Sequence, residues 1–390
     1  MTGLIIAALI SLLGVITSQL FRWAKRWSAD WRINQSDVDV LVPKTLGHLG
    51  DISSYSLQSI HSDRQCAMLT DDRFLFFRPV NFENDVVIHV TDPERVDYDI
   101  DQRLVRQARS EGRRFTNSPI LYLVGYDEHQ LKAGVTGYRS SMTLAARVSR
   151  SILQSTSQRP SVYKNELRTL QSALSSDLLR PLNFGSDATC VFWDGQKYVT
   201  PVHRRSHQTI NAPGAITVTP AYTYELNTSE GIRSRFGIIG YNFLREFLEE
   251  FWGEKKIAEM GSRPRANPDF MFDTTLGRKL IAEVDAGRVE LWCTGIGVDL
   301  SHVCCSVALT ARFTSPEFLM QVRNAPGHIE LNEDWLAEMD TREGESALRF
   351  PELFGDQMNQ MLLGKIKPTT LFSVDRARVL VQGLTPPQED

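Results

Sequence analysis

Glu246, Glu249 and Glu250 stand at i, i+3 and i+4 in the stretch Tyr241-Asn242-Phe243-Leu244-Arg245-Glu246-Phe247-Leu248-Glu249-Glu250-Phe251-Trp252-Gly253. On a helix that spacing puts the three carboxylates on one face. Phe243, Leu244, Phe247, Leu248 and Phe251 recur at helical spacing as an apolar face. Unpaired like charges at these separations cost a few tenths of a kcal/mol each. A hard divalent cation reverses that sign, because Mg²⁺ takes carboxylate oxygens together with the phosphate oxygens of a substrate. Glu246, Glu249 and Glu250 are therefore candidate metal ligands, with Mg²⁺ the cofactor they suit. The same pattern also describes the solvated face of an ordinary amphipathic helix, and spacing alone does not separate the two.

Other chemistry is sparse. The five cysteines, Cys66, Cys190, Cys293, Cys304 and Cys305, show no CxxC or Cys/His ligand spacing, and their odd number suits reduced, buried thiols. The eight histidines form no HExxH-like pair, which argues against zinc. A net charge of -4 gives no general attraction to a nucleic acid polymer. Arg103, Arg106, Arg109, Arg113 and Arg114 form one local basic cluster, with Asp101 and Glu111 beside it.

The elements that would position these residues read as α+β. Strand-like runs at Val38–Val42, Phe74–Phe77, Asp85–Val90 and Ile120–Val124 mix with helical stretches at Asp101–Gly112, Gly137–Gln158 and Asn165–Leu182. Further on, strands are expected at Cys190–Trp193 and Lys197–Arg205 around an Asp194-Gly195 turn, and at Ala215–Tyr224. A loop then leads to the carboxylate-bearing helix Tyr241–Gly253. A helix Thr274–Asp285, strands Glu290–Leu300 and Val303–Phe313, and a helix near Val374–Gln382 complete the chain. Irregular mixing of strands and helices argues against a doubly wound parallel sheet.

The N-terminus reads as a membrane anchor. Gly3 to Phe21 carries no charge over about 19 residues, roughly 28 Å of helix, close to the ~30 Å hydrocarbon core of a bilayer. Arg22, Lys25 and Arg26 follow it, and Trp23, Trp27 and Trp31 recur at the border as an interfacial belt would. Positive charge stays inside, so residues 1–26 are expected to be a single-pass anchor in the cell inner membrane with a cytoplasmic body. Ala7, Ser11, Gly14 and Ser18 form a stripe of small residues that lets such helices pack, pointing to a homo-oligomer.

Arg245-Glu246-Phe247-Leu248-Glu249-Glu250 resembles the second half of the Nudix box, the Arg-Glu-apolar-x-Glu-Glu core that follows Gly-x5-Glu-x7. Gly231 falls on the first glycine of that box. Asp194 to Tyr198, Arg204-Arg205-Ser206 and Pro213 to Ile216 resemble the strands and loop ahead of a Nudix helix, and Leu291 to Asp299 the strand after it. The resemblance covers about half the chain, and implies a Nudix-like α/β/α sandwich at 187–385 behind an α+β region at 35–185. It also implies that Glu246, Glu249 and Glu250 bind metal and that Arg245 orients one of them, with Arg245 and Glu246 in the catalytic core. The box departs from the pattern at Gly237, which stands where the isolated first glutamate belongs, and at Pro220-Ala221, which replaces a double glycine.

An anchor joined to a degenerate Nudix domain also resembles the transmembrane–Nudix effectors of cyclic-oligonucleotide-based bacterial anti-phage systems. That likeness implies a cyclic nucleotide as partner and membrane-linked cell death or arrest as outcome. The alternative is a Mg²⁺-dependent Nudix hydrolase of a nucleoside diphosphate derivative.

Overall fold

In the computed structural model, the described residues are 53–56, 65–70, 74–80, 88–97, 100–110, 117–127, 130–146, 182–204, 215–226, 230–252, 270–299, 304–324, 349–363, 366–385 and 387. The expected anchor at residues 1–26, the Val38–Val42 strand and the Asn165–Leu182 helix up to residue 181 lie outside them. Among the described residues no helix is long and apolar enough to cross a membrane.

The fold is α+β, built on a mixed sheet. Its strands are β1 (Ser53–Ser56), β2 (Gln65–Thr70), β3 (Arg78–Val80), β4 (Ile88–Arg95), β5 (Pro119–Asp127), β6 (Gln130–Gly137), β7 (Asn183–Trp193) and β8 (Tyr198–Val199). They are followed by β9 (Val202–Arg204), β10 (Ile216–Val218), β11 (Ala221–Thr223), β12 (Val289–Asp299) and β13 (Cys304–Phe313). The main sheet runs β1-β2-β12-β13-β7-β5-β6-β4, with β3 added to β12, β8 and β11 added to β7, and β9–β10 paired separately. β12 and β13 form an antiparallel hairpin, β13 runs parallel to β7 from Cys304↔Asn183 to Phe313↔Phe192, and β5 meets β7 at Tyr122↔Asn183. Strands from both sides of residue 187 thus share one sheet.

Period-two alternation gives β7 two different faces. Phe184, Ala188, Cys190 and Phe192 join one core, whereas Val191 joins the other. The helices are α1 (Gln102–Ser110), α2 (138–146), α3 (Glu230–Trp252), α4 (Thr275–Asp285), α5 (Pro316–Arg323), α6 (Asp356–Leu363) and α7 (Pro368–Gln382), with a single helical turn at Phe270–Asp273 ahead of α4. α3, α4 and α5 bury their apolar sides in the first core. There Phe247 lies 5.2 Å from Phe313 and 4.3 Å from Phe251, and Phe313 stacks on Phe192 at 4.4 Å. α7 covers the opposite face with Leu371, Phe372, Val374 and Ala377.

Several expectations shift in register. Phe74–Phe77 is not a strand; pairing with β12 begins one residue later, at Arg78. Ala215–Tyr224 is two strands rather than one, separated at Thr219-Pro220, where proline has no N–H for the ladder. The loop expected before Tyr241 is helical from Glu230, and α7 starts at Pro368, a turn and a half ahead of expectation. Cys190, Cys293, Cys304 and Cys305 are free and buried.

Candidate functional site

α3 is broken at Gly237, whose φ of 62° and ψ of -177° belong to a region open to glycine. The break turns a lead-in segment, Glu230 to Phe236, away from the helix that carries the box. Beyond it Phe243, Leu244, Phe247, Leu248 and Phe251 are fully buried against the sheet. The opposite side of the helix is not solvated either. Arg245 is 7 % and Glu249 9 % exposed, so the reading of this face as an ordinary wet surface does not hold.

Arg245 is the hub. Its Nη1 donates to Glu249 Oε1 at 2.9 Å, its Nη2 donates to Glu246, and Glu225 Oε2 lies 3.7 Å away. Burial works against the guanidinium charge, but Glu246, Glu249 and Glu225 together outweigh it and hold the arginine protonated. Glu250 turns to the other side, accepting from Thr219 Oγ1 and, at 3.5 Å, from the backbone N–H of Ala221. Asn242, one turn before Glu246, fixes the backbone of Glu225: its Oδ1 accepts from Glu225 N at 3.1 Å and its Nδ2 donates to Glu225 O at 3.2 Å.

The charge balance is uneven. Burial pushes the Glu246 carboxyl up to about 8 against the pull of Arg245, with Glu249, Glu250 and Glu225 adding to the rise. Three carboxylates thus bear on one guanidinium. β7 and β11 carry a set of hydroxyls in mutual contact. Ser186 on β7 hydrogen-bonds Tyr224, and Tyr222 stands against Tyr224 with ring centroids 5.5 Å apart. β11 can lie this close over β7 because residue 185 is glycine; a Cβ there would come within 2.3 Å of the Tyr222 carbonyl oxygen.

The structure therefore brings Arg245, Glu246 and Glu249 together and places Glu250 on a separate pair of donors. Its oxygen-only chemistry and surplus charge suit a hard divalent cation. As the side chains stand, however, no three or more His, Cys, Asp or Glu side chains are placed to hold a metal ion among the described residues. A cation at Glu246 and Glu249 would have to draw both from Arg245. Sequence spacing did not single out Glu225, Thr219, Tyr222, Tyr224 or Asn242; only the alternation of Tyr222 and Tyr224 along one strand face hinted at them. Gly231 falls in the first turn of α3. Arg103 and Arg106 are exposed on α1, the latter donating to its own helix at Gln102 O, whereas Arg113 and Arg114 lie outside the described residues.

No family model matches the chain, and no curated protein matches it in sequence. The likeness to the Nudix family rests on the box residues and their setting.

Proposed function

We propose that the chain is a membrane-anchored effector of a bacterial antiviral system, in which a degenerate Nudix-like α/β/α domain at 187–385 binds a cyclic nucleotide and acts through the membrane. One observation carries this reading. The box helix is seated on a mixed sheet with Arg245 and Glu249 buried and Glu246 partly buried beside them, yet its first-glutamate position is the helix break at Gly237. A backbone turned that way holds no carboxylate over the site, so the arrangement favours binding over turnover. Mg²⁺, where held by Glu246, Glu249 and Glu250, would offset the surplus charge and meet phosphate oxygens. Residues 1–26 supply the anchor, and its small-residue stripe supplies the oligomer through which ligand binding reaches the membrane. A ligand shifts such an assembly only by its differential affinity for the active state.

The second reading, a Mg²⁺-dependent hydrolase of a nucleoside diphosphate derivative, is supported by the retained Arg245, Glu246, Glu249 and Glu250. Calorimetric titration of the purified full chain with a panel of cyclic oligonucleotides, beside a hydrolysis assay on nucleoside diphosphate derivatives, separates the two. Cyclic di- or trinucleotide binding without turnover is expected. Brisk hydrolysis with no cyclic nucleotide bound overturns the effector reading in favour of the enzyme.

A further inference from the structure

In a chain whose net charge is -4, the nine residues of α1, Gln-Arg-Leu-Val-Arg-Gln-Ala-Arg-Ser, include three arginines and no acid. One side of the helix is pinned: Val105 is 3 % exposed and packs with Leu104 against Met142, Tyr138 and Ile100. The outward side is fixed by that packing. Gln102, Arg103, Arg106 and Ser110 are exposed and fall within an arc of about 100° at 3.6 residues per turn. The carboxylates nearest in sequence are already engaged. Asp97 accepts from Arg95 Nε at 2.9 Å, from Arg95 Nη2 at 2.7 Å and from the N–H of Gly137 at 2.8 Å, and the bonds and charge of Arg95 hold it below the usual carboxylate range. Asp101 caps the helix, its Oδ1 accepting from the N–H of Arg103 at 2.8 Å. Arg106 Nε turns back to the Gln102 carbonyl oxygen at 3.2 Å. Among the described residues, neither Arg103 nor Arg106 pairs its guanidinium with a carboxylate.

We propose that this face of α1 docks on the anionic lipid headgroups of the cytoplasmic leaflet and so sets which side of the body meets the membrane. The proposal rests on the anchor reading above, which supplies the surface. Residues 27–52 separate the expected anchor from β1, so even fully extended they hold the body within about 90 Å of the bilayer. A tether of that kind makes a weak surface contact intramolecular. Arg103 and Arg106 together favour the docked orientation roughly thirtyfold, about 2 kcal/mol at about 1 kcal/mol for each basic side chain near an anionic leaflet. For a free protein that ratio is a negligible affinity, but for a tethered one it decides the orientation. Guanidinium groups match the phosphate and carboxylate oxygens of such headgroups in a bidentate fork. A nucleic acid polymer fits less well, because the net charge of -4 repels the length of strand beyond the helix.

The test footprints arginines with phenylglyoxal in the full chain, reconstituted in nanodiscs of phosphatidylcholine alone or with about 30 % phosphatidylserine to charge the leaflet. At low ionic strength Arg103 and Arg106 should react at least about tenfold more slowly on the anionic discs, with the exposed Arg323 as reference. The difference should vanish at about 1 M salt, where screening shortens to about 3 Å. Arg103→Glu removes one attraction and adds a repulsion, so Arg106 in that variant should react within about twofold of its rate on neutral discs. A glutamate in the first turn suits the helix dipole, so the variant should keep the wild-type melting temperature. Equal rates on the two kinds of disc overturn the proposal. Protection by duplex DNA with none from anionic lipid overturns it in favour of a nucleic acid. A chain that enters neither disc ends the anchor reading and this proposal with it, whereas one that enters both and reacts alike ends this proposal alone.

Discussion

Removing one half of the buried pair beneath α7 should be costly in a way that depends on pH. Asp187 is 2 % exposed. Lys367 Nζ reaches its Oδ1 at 2.7 Å, and Thr369 and Thr370 donate to Oδ2 at 2.7 and 2.6 Å. Burial alone would raise this carboxyl, but the Lys367 charge and the bonds from Lys367, Thr370 and Thr369 hold it below the usual range. Lys367→Met leaves a buried carboxylate without its cation, a loss that typically costs about 3–5 kcal/mol. The two threonine bonds cushion it, and protonation caps it. From an unfolded pKa near ~3.9, neutralising the group at pH 7 costs at most about 4 kcal/mol at 1.36 kcal/mol per pH unit. We therefore expect about 3–4 kcal/mol by urea unfolding at pH 7. The sign follows from linkage. In the wild type the folded pKa lies below the unfolded one, so this group stabilises above about pH 4 and the contribution is lost as pH falls through the folded value. In the variant, desolvation is opposed only by the two threonine bonds and the folded pKa rises above ~3.9, so stability falls as pH climbs from about 4 to 7. The penalty should shrink to about 1 kcal/mol near pH 4.5, and Asp187→Asn with Lys367→Met should recover most of the loss. A penalty under about 1 kcal/mol at pH 7, or one equal at pH 4.5 and 7, refutes the reasoning.

The remaining expectations concern the site and the anchor. Gly237→Glu, which restores the box's missing glutamate in sequence, should lower stability by about 1–3 kcal/mol because of the backbone it must adopt, and thermal denaturation against Gly237→Ala measures it; no loss in either variant would show the break to be relaxed. In chelator-containing buffer, Glu246→Gln should gain on the wild type as pH rises from about 6 to 8. A carboxyl folded at about 8 against an unfolded value near ~4.3 withdraws stability over that range, and a flat difference across it would count against the charge surplus. Deleting residues 1–26 should move the protein from the membrane pellet to the soluble fraction, and identical partitioning of the two proteins would end the anchor reading. Gly14→Leu should weaken membrane-dependent toxicity while leaving cyclic nucleotide affinity unchanged.

Where local chemistry decides structure, the sequence was legible. Thr274 caps α4 by accepting from Gly277 N at 3.0 Å, and the Asp194-Gly195 turn closes as its composition implies, with Asp194 Oδ1 accepting from the N–H of Gln196 and of Lys197. The apolar face of Phe243, Leu244, Phe247, Leu248 and Phe251 was equally plain from spacing. What could not be read depends on distant partners. Nothing local distinguishes Phe74–Phe77 from Arg78–Val80 as a strand; the register comes from β12, more than two hundred residues on. The site was half legible for the same reason. Arg245, Glu246, Glu249 and Glu250 announce themselves by spacing, but Thr219 and Glu225 join them only because β11 and its flanks fold back over β7.

Asp187 and Ser186 are neighbours on β7 and point to opposite faces, and the contrast between the two surroundings bears on function. On the α7 side, the carboxylate meets one cation and two hydroxyls, and Ser373 closes the backbone carbonyl at 2.7 Å. This chain can therefore bury a carboxylate with every strong partner supplied. On the α3 side the same sheet sets three carboxylates, those of Glu225, Glu246 and Glu249, against one guanidinium and leaves Arg245 Nε unmatched. Groups whose ionisation is shifted by burial and by like charges gather where a protein binds or reacts. The surplus of carboxylates over guanidinium on α3 has the sign that a bound cation would offset.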